Sequence, residues 1–249
     1  MAGHSKWSQI KRTKAVVDSK RGALFTRLGR EIMVAARAGS DPTGNFQLRT
    51  AISKARAAAM PASNIDRAIA KGSGQGGEGA QLEDVRYEGY GPGGIAFIVE
   101  ALSDNRNRTA SEVRSTFSKH GGNLGETGSV NFMFDRVGQI IFPADAADAD
   151  TMFEAALEAG ASDCESDDDG HTITCDPDDF ADVRDALAEK FSDPEDAGLV
   201  WKPQNTIEVD EDTASTLFKL IEVLEDNDDV QTVASNFEVS DEIMERLSA

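Results

Sequence analysis

Hydrophobic positions in the first part of the chain recur with helical spacing. Between residues 19 and 38 they gather on one side of a helical wheel, while lysines and arginines lie on the other. The hydrophobic set is Leu24, Phe25, Leu28, Ile32, Ala35 and Ala36. A second helix is predicted from about Asn45 to Met60, and a third follows Pro61. The pattern therefore predicts a small three-helix bundle.

Beyond residue 80 the pattern changes to short strands alternating with helices. In the middle of this region, strands are predicted near 139–142, 163–166, 171–175 and 198–202, and helices near 150–159 and 179–191. This βαββαβ order is the split βαβ arrangement of ferredoxin-like folds.

The flanking segments repeat the same order once the middle region is removed. Strands are expected near 95–102, 130–134, 206–209 and 230–235, and helices near 109–120 and 214–225. We therefore expect a multidomain α+β protein in which one ferredoxin-like α/β domain is inserted in another. The predicted domains are residues 1–80, residues 81–134 plus 204–249, and the inserted residues 135–203.

Charge divides the chain at the same place as the pattern. Residues 1–80 carry 14 Lys and Arg against 5 Asp and Glu, whereas residues 81–249 carry 11 against 40. The net charge of −20 hides this division. Because charges are screened over about 8 Å at physiological salt, the basic part can approach phosphate while the acidic part stays away.

The basic part supplies the candidate nucleic-acid contacts. Its cations are predicted to form a stripe on the first helix, facing solvent, and to continue onto a basic N-terminal arm and the second helix. Trp7 lies on the arm, where its indole could stack on a base or pack against the first helix. The predicted contacts are Lys6, Trp7, Lys11, Arg12, Lys14, Lys20, Arg21, Arg27, Arg30, Arg37, Arg49, Lys54 and Arg56. An ordinary solvated helix face is the alternative.

Motifs for catalysis or cofactor binding are weak. The G-x-G-x-x-G at residues 72–77 follows a predicted helix rather than a strand, which favours a flexible linker over a dinucleotide site. The acidic run from Glu165 to Asp176 departs from an EF-hand at its first and twelfth positions. The three histidines and two cysteines lack metal-ligand spacing. We expect no enzymatic activity, no metal and no cofactor.

The two cysteines flank a predicted hairpin. A two-residue turn at Asp169-Gly170 would place Cys164 opposite Cys175. Because the sequence shows no secretory signal, we expect both thiols to stay reduced.

The sequence contains no apolar run long enough to span a membrane. Its basic N-terminus lacks the apolar segment of a secretory signal, so we expect a cytoplasmic protein. A mitochondrial transit peptide is the alternative, but Asp18, Glu31 and the lack of a Ser-rich stretch argue against it.

Several motifs resemble the YebC/PmpR family. They are Gly3-His4-Ser5-Lys6-Trp7, Lys20-Arg21-Gly22, Phe25 to Ile32, Asp41-Pro42, Met60-Pro61, Asn64-Ile65, Ile69 to Gly72, Tyr87 to Gly94, Asp104 to Thr109, and Gly121 to Gly125. They cover the first 135 residues densely and the remainder loosely.

The resemblance implies a helical N-terminal domain followed by two α/β domains, one inserted in the other. It also implies a DNA-binding transcriptional regulator. The family also resembles the mitochondrial translational activator of cytochrome oxidase, and some members are described as ribosome-associated factors that relieve stalling on proline-rich stretches. DNA and ribosomal RNA are therefore both candidate partners. The Gly-rich loops suggest a possible second contact surface, at Tyr90, Arg106, Arg108 and Asn123, unless their glycines serve only tight turns. The oligomeric state is not indicated.

Overall fold

The computed structural model of the protein describes residues 21–74 and 82–248. In the first range three helices pack together: α1 (Arg21–Ala35), α2 (Phe46–Ala57) and α3 (Ala62–Gly72). A short 3-10 turn, Ala36–Ala38, follows α1 directly. Ile32 and Leu48 are among the residues completely buried between the helices. The predicted three-helix bundle is confirmed, and we call this unit the bundle.

Asn45 shapes the connection between α1 and α2. Its side-chain oxygen accepts a hydrogen bond from the Leu48 N–H at 3.1 Å, which caps the first turn of α2. Its amide nitrogen donates to the carbonyls of Ala35 at 2.7 Å and Gly39 at 2.8 Å. One side chain thereby joins the end of α1 to the start of α2.

The second range contains strands and helices in alternation. In chain order they are β1 (Glu83–Tyr90), β2 (Ala96–Ser103), α4 (Arg106–Lys119), β3 (Asn123–Leu124), β4 (Phe134–Pro143), α5 (Ala149–Ala159), β5 (Asp163–Asp167), β6 (Gly170–Cys175), α6 (Phe180–Phe191), β7 (Asp196–Pro203), β8 (Ile207–Glu208), α7 (Glu211–Glu225), β9 (Val230–Ser235), β10 (Phe237–Glu238) and α8 (Asp241–Ser248). The multidomain α+β class is confirmed.

Strands β4 to β7 form a sheet of their own, in the order β5-β6-β4-β7 with antiparallel neighbours. Helices α5 and α6 pack on it, and Ile140, Met152 and Leu187 are completely buried between them and the sheet. This order is that of a ferredoxin-like fold, as the sequence pattern predicts. We call the unit from Phe134 to Pro203 the insert.

The hairpin of the insert has a different register from the predicted one. Asp167 pairs with Gly170, so Cys164 lies opposite Ile173 rather than Cys175. The turn comes earlier because the Asp167 carboxylate accepts hydrogen bonds from the N–H groups of Asp169 at 2.9 Å and Gly170 at 3.1 Å. Both cysteines are free thiols.

Two strands predicted for the outer sheet are not part of it. Its order is β3-β1-β2-β9, and β1, absent from the prediction, lies between β2 and β3. Residues 131–133 form a 3-10 turn instead of a strand, and β8 pairs in parallel with β10 outside this sheet. The four strands lie side by side as in a ferredoxin-like fold, but their order along the chain differs. The strand between β2 and β3 in the sheet would normally follow β3 in the chain, whereas here it is β1, which precedes β2. We call this permuted unit, with α4, α7 and α8, the outer unit.

Alternate residues of β2 face two different layers. Phe97 and Val99 point to α4 and α7, where Phe117 and Leu217 complete the main core. Ala96 and Ile98 point to the opposite face, which Phe134 covers. The outer sheet therefore lies between its own helices and the insert. We propose these three packed units as the domains predicted above.

The glycines near the ends of β1 and β3 are required by packing. A Cβ atom on Gly122 would lie 2.6 Å from the Tyr90 carbonyl oxygen, and one on Gly89 would lie 2.6 Å from the Asn123 carbonyl oxygen. Gly121 has φ +76°, in the left-handed region. The backbone itself thus accounts for glycine at these positions.

Gly122→Ala should destabilise the protein by about 1 to 3 kcal/mol, because the added methyl group meets backbone rather than a movable side chain. The matched control is Gly29→Ala in α1, where a Cβ atom meets nothing within 4 Å. That substitution should stabilise by up to about 1 kcal/mol through helix propensity. Urea denaturation of both variants measures the difference, and equal stability of the two would contradict this explanation of Gly122.

Candidate nucleic-acid interface

The structure describes some of the predicted nucleic-acid contacts and not others. Lys6, Trp7, Lys11, Arg12, Lys14, Lys20 and the side chain of Arg21 lie outside the described residues. Their contacts remain predictions. Arg27, Arg30, Arg37, Arg49, Lys54 and Arg56 lie on the bundle, and their surroundings differ sharply.

Arg30 does not face solvent. Its side chain is 13 % exposed, forms an ion pair with Asp229, and donates to the Leu102 carbonyl oxygen at 2.5 Å. The expectation that the whole stripe of α1 is solvated is therefore wrong at this position. The polar side of α1 packs against the outer unit here, and a helical wheel cannot distinguish that surface from water.

Asp229 joins the bundle to the outer unit. Its side chain is 2 % exposed, and its second carboxylate oxygen accepts from Arg108 at 2.6 Å and from the Thr109 hydroxyl at 2.5 Å. Burial raises the pKa of Asp229, but the hydrogen bonds from Thr109, Arg108 and Arg30 outweigh it and hold the pKa below its usual range. The carboxylate is therefore ionised between two arginines from separate units.

A second set of contacts joins the bundle to the insert. Lys54 lies between Glu31 of the bundle, at 3.1 Å, and Asp196 of the insert, at 2.6 Å. Burial lowers the pKa of Lys54, but the two carboxylates outweigh it and raise the pKa above its usual value. The guanidinium of Arg184 lies 3.7 Å from the ring centre of Phe46. Lys54 is thus engaged inside the protein rather than free to meet a phosphate.

Arg49 and Arg37 are partly engaged. Arg49 lies 5.1 Å from the ring centre of Phe46 and 3.4 Å from a carboxylate oxygen of Asp193. Arg37 donates to the Leu82 carbonyl oxygen at 2.9 Å and remains exposed.

The remaining cations of the bundle are open. Arg56, Arg67 and Lys71 are exposed, and Arg27 is half-buried. The ion pairs formed among residues 21–74 and 82–248 include none of these four. Arg67 and Lys71 are four residues apart on α3, so they share one face. The sequence prediction did not include this pair, although their spacing and their position on a predicted helix could have indicated it.

The proposed second contact surface is divided between two places. Tyr90 and Asn123 pair across β1 and β3 at one end of the outer sheet. Arg106 and Arg108 lie at the start of α4, where Arg106 is 3.7 Å from Glu83 at the other end of β1. The two pairs lie at opposite ends of β1, so the four residues do not form one surface. Arg108 is also engaged by Asp229.

Trp201 lies where the insert contacts the outer sheet. Its indole N–H donates to Glu100 at 3.0 Å, and the guanidinium groups of Arg86 and Arg136 lie 5.0 and 4.9 Å from its ring centre. Such cation–π contacts strengthen when they are shielded from water. No local motif marks this cluster, because its residues come from four separate strands.

No group of three or more His, Cys, Asp or Glu residues in the part of the chain that the structure describes is arranged to hold a metal ion. None of the helices in residues 21–74 and 82–248 combines the length and apolar character needed to cross a bilayer.

Two family models match the chain over most of its length. The TACO1/YebC N-terminal domain matches residues 5–75, and the TACO1/YebC second and third domain matches residues 82–237. The chain belongs to the TACO1/YebC family. The resemblance seen in the sequence is confirmed.

Members of the family from two Synechococcus strains are similar along nearly the whole chain. A "Probable transcriptional regulatory protein" of strain CC9902 is 59% identical over 243 residues, covering 96% of this chain and 97% of that protein. One of the same description from strain CC9605 is 57% identical over 244 residues, covering 98% and 99%. A crystal structure of a conserved hypothetical protein from Aquifex aeolicus is 48% identical, with a TM-score of 0.82 over 93% of this chain and 96% of that one.

Asp229→Asn should destabilise the protein by about 3 to 5 kcal/mol at pH 7, because it leaves buried positive charge without its counterion. The matched control is Asp104→Asn, which removes the exposed partner of Arg108, 2.8 Å away, and should cost less than about 1 kcal/mol. Chemical denaturation compares the two.

The stabilising effect of Asp229 should depend on pH. The pKa of Asp229 is lowered on folding, so its contribution is complete above the unfolded pKa of about 4 and is lost as pH falls through the folded pKa. The stability difference between wild type and Asp229→Asn should therefore shrink below about pH 4. A difference that stays constant from pH 7 to pH 3 would show that Asp229 is not ionised in this role.

Proposed function

We propose that this protein is a DNA-binding transcriptional regulator that holds the phosphate backbone of nucleic acid with its helical bundle. The observation that carries the proposal is the open set of cations on α2 and α3: Arg56, Arg67 and Lys71. The names of the Synechococcus relatives support a regulatory role in transcription. As a regulator it needs no catalytic group and no cofactor, and it would work in the cytoplasm.

The charge distribution supports an oriented mode of binding. Residues 135–203 carry 20 Asp and Glu against 4 Lys and Arg. A duplex or a structured RNA would repel this insert and attract the bundle, so only the bundle would lie on phosphate. The exposed side chains on α2 and α3, rather than the stripe of α1, are the first candidates because Arg30 is held by Asp229.

A translation factor bound to the ribosome is the second candidate. The observation that favours it is on α5, where Phe153 and Leu157 are 52% and 65% exposed one turn apart on the acidic insert. An acidic surface with exposed apolar side chains suits a basic protein partner, which ribosomes offer beside RNA and naked DNA does not.

Competition between targets distinguishes the two functions. Sedimentation with ribosomes and gel shifts on duplex DNA at a matched salt concentration near 150 mM give the two affinities. A transcriptional regulator should bind some duplex sequence more tightly than ribosomes. Tight ribosome binding with weak, sequence-independent DNA binding would overturn the transcriptional role.

Arg67→Gln combined with Lys71→Gln should weaken nucleic-acid binding and lower the slope of log affinity against log salt by about 1.8 on duplex DNA. Lys119→Gln combined with Lys219→Gln is the matched control, since both lysines are exposed on the outer unit and the net charge changes equally. The control should bind like wild type. Equal binding by all three proteins would remove this face of α3 from the interface.

A further inference from the structure

A cavity with both polar and apolar lining lies between α2 and the loop that follows α6. Its volume is about 380 Å³, and the residues that line it include Thr43, Arg49, Ser53, Arg56 and Asp193. Two guanidinium groups and two hydroxyl groups therefore surround this space against a single carboxylate. Such a set of donors is complementary to an anion with several oxygens.

One face of α2 presents these donors together. Arg49, Ser53 and Arg56 have the spacing i, i+4 and i+7, so they follow one another along the same side of the helix. Arg49 is already oriented, since it lies over the Phe46 ring at 5.1 Å and its Nη1 is 3.4 Å from the Pro42 carbonyl oxygen. The arginine is positioned by the bundle itself.

Asp193 is the one acidic group in the cavity, and the insert supplies it. A carboxylate oxygen of Asp193 lies 3.4 Å from Nε of Arg49, and the two side chains are 56% and 38% exposed. Exposed ion pairs of this kind contribute little to stability. A phosphodiester also offers two free oxygens to the planar guanidinium, and it can compete for Arg49 because the existing ion pair is weak.

The backbone before Asp193 is unusual. Ser192 has φ +73°, a left-handed value uncommon for a residue other than glycine. Such a backbone conformation persists only where the surrounding structure holds it. Here it precedes the residue whose side chain contacts Arg49 of the bundle.

We propose that this cavity binds a backbone phosphodiester of nucleic acid, and that Asp193 occupies it in the free protein and is displaced on binding. The inference rests on the proposed function, because it locates one phosphate contact of the bundle. It also adds a competitor that restrains binding: the protein's own carboxylate must leave Arg49 before a phosphate can enter.

Displacement of Asp193 needs no separation of the insert from the bundle. Lys54 still holds Asp196 at 2.6 Å, and Arg184 still lies 3.7 Å from the centre of the Phe46 ring. Only the exposed side chain of Asp193 has to move.

The test compares the nucleic-acid affinities of three variants and one control at 150 mM salt and over a series of salt concentrations. Asp193→Asn should bind about two- to fivefold more tightly than wild type, since it removes the competitor of one exposed ion pair. Arg49→Gln combined with Arg56→Gln should lower the salt slope by about 1.8 on duplex DNA. In that double variant, Asp193→Asn should give no further gain. Asp178→Asn, which removes an exposed carboxylate elsewhere on the insert, is the matched control and should bind like wild type.

Two outcomes of these measurements would overturn the inference. If wild type binds nucleic acid and Asp193→Asn binds no better than Asp178→Asn, Asp193 does not compete. If Asp193→Asn gives the same gain with and without the two arginines, the effect is general electrostatics rather than this cavity.

A second readout separates this inference from the proposed function. The side-chain Nε–Hε signals of Arg49 and Arg56 are followed by NMR while Asp193→Asn is titrated with the diester UpU or with inorganic phosphate. Shifts at lower concentration of UpU support a diester site even if wild type binds no long nucleic acid, in which case the proposed function alone fails. Shifts with inorganic phosphate only, or with neither compound, would overturn the diester site.

Discussion

The arrangement of the molecule depends on one buried carboxylate shared by two arginines. Asp229 receives Arg30 from the bundle and Arg108 from the outer unit, and Thr109 completes its hydrogen bonds. Asp229 is buried and Arg30 mostly buried in this network, and either charge would be costly to bury alone because it loses its hydration. The orientation of the basic bundle on the acidic remainder is therefore set by charge neutrality as well as by packing.

Local pattern predicted the helices and the insert well. The hydrophobic spacing of α1 and α2 is short-range information, and the strand order of the insert follows the order of its elements in the chain. Strand β1 is hard to recognise because it reads EDVRYEGY, with only Val85 and Tyr87 to mark its apolar side, and the buried Glu88 lies on the other side. Glu88 is tolerated there because its carboxylate accepts the N–H groups of Val130 and Asn131 at 2.9 and 3.0 Å.

The candidate interface was less predictable than the fold. A helical wheel separates apolar from polar positions, but it does not tell water from the polar surface of another domain. Arg30 and Lys54 therefore look like Arg56 in the sequence, although Asp229 and Asp196 engage the first two. The partners come from residues more than a hundred positions away, and nothing local marks them. The bundle is basic and the other two units are acidic, which suggested that the basic residues face outward. The same opposite charges also form the ion pairs that hold the three units together.

The insertion has a consequence for how the chain folds during synthesis. Phe134 and Pro203 are paired across β4 and β7, so the folded insert brings its two ends side by side. Strand β9 reaches β2 only after the insert has left the ribosome, since Ser235 pairs with Phe97. Once folded, the insert replaces a flexible loop of 70 residues with a short rigid connection, which removes most of the closure entropy. The insert is therefore synthesised before β9, and its folding lowers the entropic cost of completing the outer sheet.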